Sequence, residues 1–259
     1  MPSVIKVEVE KAQAAKAVKA LELVHERSVA SKEDKTQLLE QDAPYISVLI
    51  GTRELKVTSA RTCPIQIPVP HAVFPDNYSV CLFVKDPQRL YKDKVSEQEI
   101  GYVKRVIGVS KLSKKFRSYE AKRILADEYD LFMADERILP LLPKSLGKTF
   151  LKRKAKVPVK VDVSKVKDLK ATLDNAFLKS TYLHLGQGSC LNIKVGRIGQ
   201  DSTEIVENIL AAIETAGNKI PGKHANIKSV HLKLPDSIAL PLYSTVAENG
   251  EEEATEAEE

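Results

Sequence analysis

The middle third of the chain sets the tightest limit on the fold. Ser79 to Lys85 encloses an unbroken apolar run, Val-Cys-Leu-Phe-Val, and a strand of that kind is stable only when both its faces are covered. Two more short apolar runs follow, Val106 to Val109 and Tyr129 to Ala134. Asp86-Pro87 breaks the chain into a first helical stretch, Lys114 to Ala126 predicts a second helix, and Asp135 to Leu142 a third. Strand, helix, strand, helix, strand, with strands too apolar to alternate, is the pattern of a small parallel α/β unit.

The flanking thirds follow a different pattern. Residues 10–27 space Ala14, Ala17, Val18, Leu21 and Val24 three and four apart among charged residues, which predicts an amphipathic helix. Ser28 to Asp42 is polar and reads as a loop with a short helical piece, and Tyr45 to Ile50 as a strand ended by Gly51-Thr52-Arg53. Ile65, Ile67 and Val69 alternate with Gln66, Pro68 and Pro70, which suits an edge strand, since proline cannot donate to a central ladder. Further on, Lys165 to Phe177 predicts a helix capped by Ser164, and Ser180–Leu185 and Ser189–Val195 predict strands. The best-marked helix starts at Asp201, with Glu204 completing a capping box. Ile205, Ile209 and Ile213 form its stripe, and Gly217 and Pro221 its stop. Ile227–Leu234 and Ile238–Tyr243 predict the last strands.

One economical arrangement joins the flanks. Residues 1–72 and 159–246 would form a discontinuous α+β domain, and 73–158 an inserted three-layer, Rossmann-like α/β domain. Residues 247–259 lack apolar content and are expected to be disordered.

Charge points to a polyanionic partner. The formal net charge of +5 includes seven glutamates in Ala247–Glu259, and removing them raises it to +12 for the body. The densest basic stretch runs from Lys144 to Lys170, ten cations against Asp162 and Asp168. Within it Lys148, Lys152, Arg153, Lys154 and Lys156 are candidates for phosphate contact. A second basic group holds Lys111, Lys114, Lys115, Arg117, Lys122 and Arg123. With 14 Phe plus Tyr and no Trp, recognition of folded RNA by shape and backbone is expected over extensive base stacking.

Other chemistries lack their patterns. Gly147-Lys148-Thr149 resembles the end of a phosphate loop, but Leu142 stands where the loop needs its first glycine. Asp135-Glu136 ends an apolar run as a Walker B strand does, yet no glycine-rich loop accompanies it. Lys85-Asp86-Pro87 follows the first α/β strand in place of GxGxxG. The five histidines form no metal-binding spacing and no serine or cysteine sits in a nucleophile context, so no catalytic residue, metal or cofactor is expected. Cys63, Cys81 and Cys190 form no CxxC pair, and Cys81 and Cys190 are expected to be buried thiols. No run of about 18 apolar residues occurs, so no membrane span is expected, and Met1 to Lys6 has no long apolar stretch, so a secretory signal is not expected.

Several segments, in order, resemble the ribosomal protein L-one family. Ile46–Gly51 is similar to its first core strand, and Ile65-Gln66-Ile67-Pro68-Val69-Pro70-His71 to its strand ending in a Leu-Pro-His turn. Leu146-Gly147-Lys148 and then Pro158 stand where it carries Leu-Gly-Pro-Arg. Asn192-Ile193-Lys194-Val195-Gly196-Arg197-Ile198, then Glu207-Asn208-Ile209-Leu210, is the closest match. The resemblance covers roughly residues 10–245. It implies a two-domain fold whose first domain, built from both chain ends, binds structured ribosomal RNA without a cofactor. By position it implies RNA contacts at Arg61, Lys194, Arg197, Lys228, Lys233 and Ser237.

The chain departs from the ribosomal members at two turns. Leu234-Pro235-Asp236-Ser237 stands where they carry Thr-Met-Gly-Pro, and Val69-Pro70-His71-Ala72 where they carry Leu-Pro-His-Gly. It looks more like the eukaryotic L-one-domain assembly factors. That likeness implies a nucleolar, non-enzymatic ribosome-biogenesis factor, a monomer within a large ribonucleoprotein particle, with pre-rRNA and other assembly proteins as partners. The alternatives are a mature large-subunit stalk protein and a protein–protein scaffold of the pre-ribosome.

Overall fold

The computed structural model describes residues 9–30, 43–54, 63–75, 77–163, 169–186 and 188–245. The expected cap at Ser164, the site residue Arg61 and the acidic tail lie outside them. The fold is mixed α/β, with one parallel and one antiparallel four-stranded sheet, and the chain divides into two compact units.

The first unit is built on the antiparallel sheet. Its strands are β1 (Tyr45–Thr52), β8 (Cys190–Arg197), β9 (Ile227–Lys233) and β10 (Leu240–Ser244), in the order β10-β9-β1-β8. Along β1, Ile46, Val48, Ile50 and Thr52 are buried while Tyr45, Ser47, Leu49 and Gly51 are half-buried. This period-two alternation gives the sheet one packed face and one open face. Helices α1 (Lys11–Ala30) and α8 (Ser202–Lys219) cover the packed face and pack on each other. Ala14, Ala17, Val18 and Leu21 of α1 are buried, as are Ile205, Ile209 and Ile213 of α8. Asp201 caps α8, its carboxylate accepting from the Thr203 N–H at 3.2 Å.

Two details of this unit differ from the sequence reading. Helix α8 runs through Gly217 instead of stopping there. The His224 ring lies against that glycine, where a Cβ would sit 2.3 Å from Cε1. Cys190 is exposed on the edge strand, not buried, because its neighbour Leu191 takes the packed side.

The second unit carries the parallel sheet β4-β3-β5-β6, from β3 (Val80–Val84), β4 (Val103–Gly108), β5 (Leu131–Asp135) and β6 (Val159–Val161). Every residue of β3 and β5 is buried. Phe83 stacks on Phe132 at 5.8 Å, and Phe150 meets Phe132 edge-on at 5.0 Å. Burying each such ring stabilises by roughly 1.5–3 kcal/mol. Strand β6 joins through Met133↔Val159 and Asp135↔Val161. Helix α7 (Leu169–Phe177) belongs to the same unit, Phe177 stacking on Tyr102 at 4.6 Å. This unit takes in Phe74–Ser180 together with Ala60–Gln66.

Two helices expected here are cut differently. The Lys114–Ala126 stretch divides into α3 (Val109–Lys115) and α4 (Tyr119–Glu128). Phe116 dives into the core between them, and the Ser118 hydroxyl caps α4 by accepting from the Ala121 N–H. The Asp135–Leu142 stretch holds turns, because Arg137 folds back onto the Asp135 carboxylate. Helix α5 (Leu142–Leu146) starts after them with Pro143 in its first turn, and α6 (Lys148–Leu151) follows Gly147, whose φ is +71°. Helix α2 (Gln88–Glu97) links β3 to β4, and β2 (Ile65–Pro68) pairs with β7 (Ser180–Leu183) as a separate ribbon.

Candidate nucleic-acid interface

The register of the antiparallel sheet gathers distant residues into rows across its open face. Ser47 lies between Lys194 and Lys233, Leu49 between Asn192 and His231, and Gly51 between Cys190 and Ser229. All nine are exposed or half-exposed. Two lysines, an amide, an imidazole and two hydroxyls thus share one surface, a donor set suited to phosphates and sugar hydroxyls.

Tyr45 sits at the end of this face. The Lys194 ammonium lies 3.9 Å from the Tyr45 ring centroid, a cation–π contact that fixes the side chain. Burial lowers the Lys194 ammonium below the ordinary lysine value. Arg197 pairs opposite Tyr45. Its backbone N–H donates to Gln200 Oε1 at 2.9 Å, and its buried Nε has no hydrogen-bond partner among the described residues.

A β-bulge shapes this corner. Ile46 pairs with Gly196 and Ser47 with Lys194, so Val195 is the extra residue opposite nothing on β1. Asn208, buried in α8, takes up the loose ends. Its Nδ2 donates to the Val195 carbonyl at 2.9 Å and the His71 carbonyl at 3.2 Å, and its Oδ1 accepts from the His71 N–H at 3.0 Å. The His71 ring pairs with Glu207, 2.7 Å from Nε2 to Oε2. Asn208 thereby ties the Pro70-His71 turn, the bulge and α8 together.

The remaining sequence candidates are spread out. Lys228 is exposed but is the extra residue of a second bulge, between Gly51↔Ser229 and Thr52↔Ile227, and shares no row with Lys194 and Lys233. The Ser237 hydroxyl is spent inside its own turn, accepting from the Leu234 N–H and donating to the Ile238 carbonyl, both at 2.9 Å. On the second unit Lys148, Lys152 and Lys154 are exposed. Arg153 pairs with Asp127. Lys156 turns inward and donates to the Tyr129 carbonyl at 2.6 Å, and burial lowers its ammonium. Two of the five cations of that run are thus engaged within the protein. Sequence reasoning missed Tyr45, Ser47, Asn192 and His231, whose one signal was their outward parity on strands.

The crevice at the carboxyl ends of the parallel strands, where such sheets bind nucleotides, is filled by the protein's own groups. Asp86 accepts from the Ser110 N–H at 3.1 Å and hydroxyl at 2.5 Å, and Gln88 bridges to the Val106 carbonyl at 2.8 Å. A Cβ on Gly108 would sit 2.5 Å from Asp86 Oδ1. Asp135 is wholly buried and held by Arg137 Nη2 at 2.7 Å, which also donates to the Tyr91 hydroxyl at 3.0 Å. Carboxylates stand where a phosphate would need donors. Among the described residues no cluster of His, Cys, Asp and Glu could hold a metal ion, and no helix is long and apolar enough to cross a membrane.

Comparison with known proteins gives a consistent result. The model of the ribosomal protein L1p/L10e family matches residues 8–238. A Schizosaccharomyces pombe protein named for ribosome biogenesis is 39% identical over 224 residues, 84% of this chain and 60% of its own length. Ribosomal L1 domain-containing protein 1 of Mus musculus is 30% identical over 244 residues, 91% of this chain and 52% of its own. The ribosome biogenesis protein UTP30 of Saccharomyces cerevisiae is 28% identical over 254 residues, 89% of each chain. The chain thus spans little more than half the length of the first two relatives. Its likeness to these proteins exceeds its likeness to the mature large-subunit protein uL1.

Proposed function

The chain belongs to the ribosomal protein L1p/L10e family, and from that premise we propose that it is a non-catalytic ribosome-biogenesis factor that binds structured pre-rRNA. The open face of the antiparallel sheet is its grip. The observation that carries this reading is the row Lys194–Ser47–Lys233, with Tyr45 beside Lys194, on the face opposite the one that packs on α1 and α8. Phosphates lie on the two ammonium groups and on Arg197, while Ser47, Asn192 and His231 meet sugar and base edges. Lys148, Lys152 and Lys154 of the second unit add backbone contacts. The relatives named for ribosome biogenesis support the setting. We place the protein in nucleolar pre-ribosomal particles, as a monomer among other assembly proteins.

The test is the salt dependence of binding to a folded pre-rRNA transcript. Each phosphate contact contributes about 0.7–0.9 to the slope of log K against log salt. Lys194→Glu with Lys233→Glu is expected to flatten the slope by about 1.5. An unchanged slope, with the variant folded, removes the sheet face from the interface. Crosslinking in cells then identifies the RNA, and recovery of spacer sequence distinguishes a precursor from the mature subunit.

A further inference from the structure

The second unit carries a basic surface that the sheet face does not explain. Lys111, Lys114, Lys115, Arg117, Lys122 and Arg123 fall within thirteen residues, with Glu120 the one acid among them. Five cations elsewhere on this unit are paired: Arg89 with Asp93, Arg105 with Glu128, Arg137 with Asp135, Arg153 with Asp127, and Lys160 with Glu136. Among the described residues none of the six has such a partner.

An aromatic ring stands in the midst of these charges. Tyr119 opens α4 and is 67% exposed. The Arg123 guanidinium lies 5.9 Å from its ring centroid. The segment before it is anchored, because Phe116 is buried in the core under Arg105, 5.5 Å from ring centroid to guanidinium carbon. Only Arg117 and Ser118 separate that anchor from Tyr119, and Ser118 is fixed as the cap of α4. An exposed ring on a rigid turn, with a guanidinium beside it and free cations on both flanks, combines the two elements that hold a single strand of nucleic acid: a stacking platform and phosphate neutralisation. An acidic peptide would use the charges but leave the ring without a role.

We infer that the α3–α4 turn is a second RNA site, one that takes an unpaired segment by stacking a base on Tyr119 and neutralising its phosphates with Lys114, Lys115, Arg117 and Arg123. This rests on the reading of the protein as an RNA binder but uses neither the sheet nor folded RNA.

The absence of Trp from the chain makes the test direct. Full-length protein carrying Tyr119→Trp has a single indole at the site. Oligoadenylate is expected to quench its emission saturably, and inorganic polyphosphate of matched charge to leave it unquenched. In anisotropy with labelled oligoadenylate, Tyr119→Ala is expected to weaken binding about tenfold at an unchanged salt slope. Lys114→Gln with Arg117→Gln is expected to lower that slope by about 1.4. All of these substitutions alter exposed side chains, so folding is expected to be retained. Absence of quenching, or unchanged affinity of Tyr119→Ala, overturns the inference. Displacement of the oligonucleotide by polyglutamate at equal charge also overturns it and assigns the surface to an acidic protein. Repeating the titrations with Lys194→Glu and Lys233→Glu separates the two readings. Quenching that persists while folded-RNA binding is insensitive to those changes sinks the sheet face alone. Loss of quenching with intact folded-RNA binding sinks the turn alone.

Discussion

Alanine in place of Asn208 removes three hydrogen bonds from a side chain that is 1% exposed. The Val195 carbonyl loses most. As the extra residue of the bulge it pairs with nothing on β1, and its bond to Asn208 is buried. A buried polar group left without a partner costs about 1–3 kcal/mol. The two His71 groups are partly buried, so water recovers some of their loss. The sum is about 3 kcal/mol, a large share of the roughly 5–15 kcal/mol that holds a domain together. Native-state hydrogen exchange measures it by unit. Protection of the β1 and β8 amides is expected to fall about a hundredfold, with the parallel-sheet amides unchanged. Asn208→Asp is expected to be worse, because it keeps the acceptor for the His71 N–H but turns a carboxylate oxygen toward two carbonyls. Protection within about threefold of the parent in both variants would refute the view that this amide holds the corner together.

Three further outcomes follow from the same geometry. Burial lowers the Lys194 ammonium, so its charge is lost as pH rises through that lowered value, ahead of ordinary lysines. RNA binding needs the charged form and weakens across that window, whereas folding favours the neutral form and gains stability there. Lys194→Arg, charged throughout, is expected to move the alkaline limb of RNA binding upward, and superimposable profiles would exclude Lys194 from the interface. Cys190 is exposed on the open face while burial pushes the Cys81 thiol up to about 12. Alkylation followed by mass spectrometry should modify Cys190 and spare Cys81, with folded RNA slowing the Cys190 reaction. Equal rates with and without RNA would count against the open face. Gly217→Ala puts a Cβ 2.3 Å from the His224 ring, and the clash should outweigh the gain in helix propensity of about 1 kcal/mol. A raised melting temperature would show that the ring moves aside freely.

Local signals carried the elements whose stabilisation is local. Helix α8 was legible because the Asp201 cap and the Ile205–Ile209–Ile213 stripe lie within its own segment. Strands β3 and β5 were legible because burial on both faces leaves no polar position. The break between α3 and α4 was not, since Phe116 leaves the helix for a core made by other segments. Strand β6 is three residues long and exists by pairing with β5. The candidate interface was half legible. Lys194, Arg197 and Lys233 were singled out by resemblance, but the row through Ser47 depends on partners far apart in the chain. Cys190 was misplaced because the composition of a run does not say which parity faces the helices.

Strand β1 lies in the centre of its sheet, between β8 and β9. Both of its neighbours come from the last third of the chain, and β9 ends at Lys233. During synthesis β1 emerges with no strand to pair with, and at about 5–20 residues per second it waits roughly ten to forty seconds for β9. The parallel sheet, complete once Val161 is made, can form within that interval. The order of manufacture is therefore the inverse of the order along the chain. The parallel sheet can mature first, and the antiparallel sheet is assembled only once β9 has been made. Truncations that stop before β8 leave an apolar strand without neighbours, a liability for aggregation.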